Sequence, residues 1–171
     1  YWFSMRWDAI PILQEHPELI NWNGLSENAN EGAIDMLLAN PDKINWSWLS
    51  MNPHPKAIAL LKKNPDKINW NWLSRNPSYE AIEMLKENID EINWQTLSEN
   101  TNPAVMDIIR CNIENMKDYC WYYFFSNPNI FHDEYVDVCK EYFRCHVTEE
   151  LMAKVWHPRN MHKFRDWGVD V

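Results

Sequence analysis

A chain of 171 residues with 46% hydrophobic content is long enough for one domain, or one run of small repeats, around a continuous core. Sixteen Lys and Arg against twenty-five Asp and Glu leave a formal charge of −9, which argues against nucleic acid and against an anionic membrane surface, because phosphate contacts rest on basic side chains. No apolar run approaches the roughly eighteen residues of a membrane-spanning helix, and no signal-peptide pattern is present, so neither a membrane protein nor a secreted one is expected.

Eleven Trp and three Gly depart from average usage in opposite directions. With many Leu, Ile, Met and Asn-Pro steps, they point to helices with abrupt ends. The cysteines Cys111, Cys120, Cys139 and Cys145 form no Cys-x-x-Cys pair and are too sparse for a disulfide scaffold. Reduced thiols in an intracellular protein are expected. The chain opens on Tyr1 and reads as a fragment or a processed product.

The first predicted element is a weak copy of a unit that recurs along the chain: Ala9-Ile10, Leu13 and Pro17 keep its register. Strong units then run over about 17–112. Trp22, Trp46, Trp70 and Trp94 are spaced by twenty-four residues, each preceded by Ile-Asn and followed three residues later by Leu-Ser. Two residues on stands Asn28, Asn52, Asn76 or Asn100. The other half of the unit repeats as Ala33-Ile34, Ala57-Ile58 and Ala81-Ile82, with Val105-Met106 next, and closes on Asn40, Asn64, Asn88 and Asn112. A fixed period of this length is the mark of stacked supersecondary units.

Each unit predicts two helices. Asn52 suits the N-cap of the longer one and Pro53 its first helical position; Asn76-Pro77 repeats the arrangement. From Lys56 to Lys63, the apolar Ala57, Ile58, Leu60 and Leu61 cover one side, and Lys56, Ala59, Lys62 and Lys63 the other. Asn64-Pro65 stops the helix, because a residue before Pro avoids the α region. Asn45 and Asn69 suit the N-cap of the shorter helix. Ile68 before the cap and Leu73 after it have the spacing of a hydrophobic staple. The stretch NPDKINW, at 40–46 and again at 64–70, therefore reads as a corner piece that ends one helix and starts the next. Its Trp is expected between layers in the core, with Trp22, Trp46, Trp70 and Trp94 as recurrent wedges. Two such helices cannot bury their apolar sides alone; stacked neighbours can, as a quasi-one-dimensional solenoid.

Recognition in repeat proteins usually rests on the side chains that vary between units. Trp48 and Trp72 stand where the flanking units hold Gly24 and Thr96, so the core does not demand Trp there. With Met51, Asn71, Arg75, Lys62 and Lys63 they form the expected partner-binding surface. The pattern lacks the basic stripe with stacking residues in register that a base-reading solenoid needs, so single-stranded RNA is not the expected partner.

The segment Trp121 to Pro128 keeps the aromatic, Ser, Asn and Pro but slips register. The repeat array is thus read as 1–128 and a helical capping segment as 129–171, with helices expected over Phe131 to Phe143, from Thr148 to Trp156, and over Asn160 to Trp167. Cys139, Cys145, His157 and His162 loosely resemble zinc ligands, but the two Cys are six apart, where structural zinc sites prefer Cys pairs two to four residues apart on a turn. No metal site, cofactor or catalytic residue is assigned: there is no Gly-rich phosphate loop, no Gly-x-Ser-x-Gly and no His-Glu-x-x-His.

The units NPDKINWSWLSMNP (40–53) and NPDKINWNWLSRNP (64–77), and the ending EELMAKVWHPRNMHKFRDWGVDV (149–171), resemble a short tandem repeat and closing segment of uncharacterised proteins from giant nucleocytoplasmic DNA viruses. That resemblance implies a viral origin and a helical repeat, and brings no catalytic residues. The expectation is an all-α solenoid of short helix pairs with a helical C-terminal cap, acting without catalysis as a protein-interaction scaffold for a host or viral partner. A minor structural component of the virion is the alternative, and an enzyme of unrecognised type a more distant one. The expected location is the host cytoplasm, the virus factory or the virion.

Overall fold

The structure is a computed structural model and describes residues 2–127. The chain separates into two units, Tyr1–Ile130 and Phe131–Val171, and the described residues lie in the first. The helices expected beyond 128, and the Cys139, Cys145, His157 and His162 set, lie outside them.

The described residues are all-α, with no strand among them. Short and longer helices alternate: α1 (Trp2–Met5), α2 (Ile10–Glu15), α3 (Trp22–Glu27), α4 (Glu31–Ala39), α5 (Trp46–Met51), α6 (Pro55–Lys63), α7 (Trp70–Leu73), α8 (Tyr79–Glu87), α9 (Trp94–Ser98), α10 (Val105–Cys111) and α11 (Asp118–Phe125). Each longer helix is followed by one 3-10 turn: Pro17–Leu19, Pro41–Lys43, Pro65–Lys67, Ile89–Glu91 and Ile113–Asn115.

The corner forms as its letters dictate. Asn40 ends α4, and its Nδ2 donates back to the Met36 carbonyl at 2.9 Å. Asn64, Asn88 and Asn112 do the same to Leu60, Met84 and Ile108, satisfying a carbonyl that the helix end leaves open. Pro41 or Pro65 then opens the 3-10 turn, where its missing N–H is not needed. Ile44 is extended (φ −65°, ψ 124°) and Asn45 caps α5, accepting from the Trp48 N–H at 3.3 Å. Asn21, Asn69 and Asn93 cap their helices in the same way, as the spacing predicts. In α6, Ala57, Ile58 and Leu61 are buried while Lys56, Ala59, Lys62 and Lys63 are exposed.

The Asn after each Leu-Ser does not do what the sequence suggests. Asn52 and Asn76 are not N-caps of the longer helices. Those caps stand two residues later, at Asn30, His54 and Ser78, and Pro55 rather than Pro53 takes the first helical position of α6. Asn52 is wholly buried. Its Nδ2 donates to the carbonyls of Ser26 and Asn28 in the unit before, at 2.9 and 3.0 Å, and its Oδ1 accepts the His54 N–H at 3.0 Å. Asn76 repeats this onto Ser50 and Asn52, and Asn100 onto Ser74 and Asn76. The physical reason is that an amide side chain both donates and accepts, so one residue turns its own loop and holds the unit beneath it.

A second run of bonds accompanies the first. Ser26, Ser50, Ser74 and Ser98 donate to the carbonyl of Trp22, Trp46, Trp70 and Trp94 four residues back. The first three also accept the backbone N–H of Asn45, Asn69 and Asn93 in the following unit. Along these bonds α1 packs on α3, α3 on α5, α5 on α7 and α9 on α11, while α4 packs on α6 and α6 on α8.

The periodic Trp also differs from expectation. Trp22, Trp46, Trp70 and Trp94 are half-buried and not enclosed. The enclosed positions are Leu25, Leu49, Leu73 and Leu97 on the short helices, with the Ala, Ile and Leu of the longer ones. An indole is large and is rarely covered on all sides. Lys67 Nζ stands over the Trp46 ring, 4.6 Å from its centre, a favourable placement of a cation on a π face.

Both slips of register are absorbed without breaking the run of bonds. Asn28 donates to the carbonyls of Ser4 and Arg6, spaced by 24 and 22 residues where the interior spacings are 26 and 24. Asn127 donates to Ser98 and Asn100, spaced by 29 and 27. The longer α11, of eight residues against five in α9, takes up the added length.

Candidate functional site

Five of the seven residues expected to meet a partner lie on the short helices or just after them. Trp48 and Trp72 stack with ring centres 5.4 Å apart and planes inclined by 27°, the offset arrangement that aromatic quadrupoles favour. Both are half-buried, as is Met51. Asn71 is exposed, and its carbonyl accepts from Thr96 Oγ1 at 3.1 Å. Arg75 is exposed and pairs with Glu99 of the next unit at 3.2 Å. Lys62 and Lys63 belong to a different row, exposed in the last turn of α6.

Some of the varying positions already bond to a neighbouring unit. Asn45 Nδ2 donates to Asn23 Oδ1 at 2.7 Å, and Asn69 Nδ2 donates to Ser47 Oγ at 3.0 Å. On the longer helices, Lys56 Nζ reaches Glu31 at 2.8 Å and Asp35 at 2.9 Å across the α4–α6 step. The hydrogen bond that Lys56 donates to Glu31, then that to Asp35, holds its ammonium above the ordinary lysine range. The sequence gives no direct signal for this, because the paired residues stand 25 and 21 positions apart and occur at one step only.

The buried Asn run carries a sequence signal that local capping rules pass over. The caps of the longer helices drift among residue types, as Asn30, His54 and Ser78 do. The ladder position holds Asn in every strong unit: Asn28, Asn52, Asn76 and Asn100.

Among the described residues, no cluster of three His, Cys, Asp or Glu is placed to hold a metal. No described helix is long and apolar enough to cross a membrane. Cys111 and Cys120 carry thiols, the first exposed and the second buried. Searches against protein-family models, curated proteins and solved structures return no match to this chain.

Proposed function

We propose that the array is a solenoid of 24-residue helix pairs acting as a non-enzymatic scaffold for a protein partner, and that it belongs to a viral repeat family with the host cell or virion as its setting. The observation that carries the reading is a division of labour within the unit. The constant Asn and Ser are buried and bonded from unit to unit, so they stack units and recognise nothing else. The stacked Trp48–Trp72 pair sits beside exposed Asn71 and Arg75. It concentrates half-buried aromatic surface on the short-helix side, and Trp and Arg are the residue types that most often dominate protein interfaces.

The test compares the full chain with a Trp48→Thr/Trp72→Thr variant, which takes the residue of the equivalent position 96. The expected result is a partner crosslinked in near-stoichiometric amount by the wild type and lost by the variant, with both proteins cooperatively folded. Undiminished capture by the variant would remove the Trp pair from the interface. Absence of any stoichiometric partner would remove the scaffold reading.

A further inference from the structure

Near-identical units raise a folding problem. The bonds that join them are the same at each interior step: Asn52, Asn76 and Asn100 each donate to one Ser and one Asn carbonyl of the unit beneath. A chain slipped by one unit, or a unit seated on a second copy, would satisfy the same bonds. Misassembly and swapping of this kind are characteristic failures of repeat proteins.

The varying residues differ at each step in a way that the constant ones do not. Where α4 meets α2, a Cβ added at Gly32 would stand 2.8 Å from Ile10 Cγ2. The equivalent positions in later units are Lys56 and Glu80, so neither α6 nor α8 can take that seat unless Ile10 moves. Where α6 meets α4, Lys56 pairs with Glu31 and Asp35. The next unit holds Glu80 in the place of Lys56 and has Pro55 and Ala59 beneath it in the places of Glu31 and Asp35. Slipped by one unit, Glu80 would face two carboxylates. The Trp48–Trp72 stack occurs at one step, whereas the Arg75–Glu99 pair does not discriminate, since Arg75 seated one unit back would meet Glu27.

We infer that Gly32, Lys56 and Trp72 act as addresses, each favouring a unit's own neighbour, with Glu80 opposing the seat on Glu31 and Asp35. The constant bonds supply stacking without order, and the varying contacts supply order. Discrimination of this kind needs a repulsive element beside the attractive one, which Glu80 provides against Glu31 and Asp35. The inference rests on the stacking of units and not on partner binding, so failure to find a partner leaves it standing.

The test refolds the full chain from denaturant at several protein concentrations, beside a variant with two addresses erased, Lys56→Ala/Trp72→Thr. Light scattering and hydrogen exchange measure species other than the native one. Those species should increase roughly tenfold in the variant, the ratio that about 1.4 kcal/mol of lost discrimination produces. A variant that is less stable yet refolds to the native species in wild-type yield overturns the inference. If the double variant does not fold, Lys56→Glu/Glu80→Lys decides, because it exchanges the attractive and the repulsive charge at constant net charge. Non-native species should then be abundant at low salt and suppressed at high salt, and wild-type refolding at low salt overturns the inference.

Discussion

Asn76 satisfies its whole amide inside the protein: two carbonyls accept from Nδ2, and Oδ1 accepts from the Ser78 N–H. Asn76→Ala therefore strands two buried carbonyls and a backbone N–H. At about 1–3 kcal/mol for each buried group left unpaired, a loss of roughly 3–5 kcal/mol is expected in chemical denaturation. Asn76→Asp should do no better, since its carboxylate would face the two carbonyl oxygens without a donor. A loss below about 1 kcal/mol for the Ala variant would show that water replaces the amide at little cost. His54 is the opposite case. It caps α6 by accepting the Lys56 N–H on Nδ1 at 3.2 Å, and imidazole is a less common cap than the Asn30 or Ser78 of its neighbours. His54→Asn should raise stability by about 0.5–1 kcal/mol, read as an upward shift of the melting temperature.

Each short helix from α3 to α9 is four to six residues long, too short to persist alone in water. Its stability comes from an Asn cap, one enclosed Leu and the neighbours on either side. The α5–α7 step has one contact of its own kind, the Trp48–Trp72 stack. A double-mutant cycle with Trp48→Ala and Trp72→Ala should give a coupling of about 0.5–1.5 kcal/mol. Additive losses would mean that the two rings lie side by side without attracting one another. Corners, the caps of the short helices and the apolar side of α6 were legible in the sequence, because each is set by residues within one turn of one another. The seat of Asn52 was not: its donor side reaches carbonyls 24 and 26 residues away, and a rule built on the next turn assigns it to the wrong helix.

At the scale of the whole chain, the period itself makes a prediction. Deleting Pro53 to Asn76 removes one period and places Pro77 after Asn52, so Asn100 can donate to Ser50 and Asn52 in place of Ser74 and Asn76. The shortened chain should remain helical and melt cooperatively. A deletion one residue shorter should melt at a lower temperature, because the junction must then absorb an added residue before Asn100 can reach Ser50 and Asn52. Within the shortened chain α8 is seated on α4, and Glu80 faces Glu31 and Asp35. Glu80→Lys should raise its melting temperature by a degree or more, as removal of like-charge contact does, while changing the full-length protein little. Equal responses in the two chains would mean that the long-helix charges do not sense their neighbours.

The sequence by itself determined the period, the all-helical class of the described residues, the turns at NPDKINW and the buried side of α6. These result from capping, proline geometry and apolar spacing, all of which act over a few neighbouring residues. Only the tertiary structure decided that Asn28, Asn52, Asn76, Asn100 and Asn127 bond units together, that the recurrent indoles are half-buried, and that Trp48 stacks on Trp72. Those outcomes depend on which residues come to lie opposite one another once units stack, and that juxtaposition is a property of the packed array.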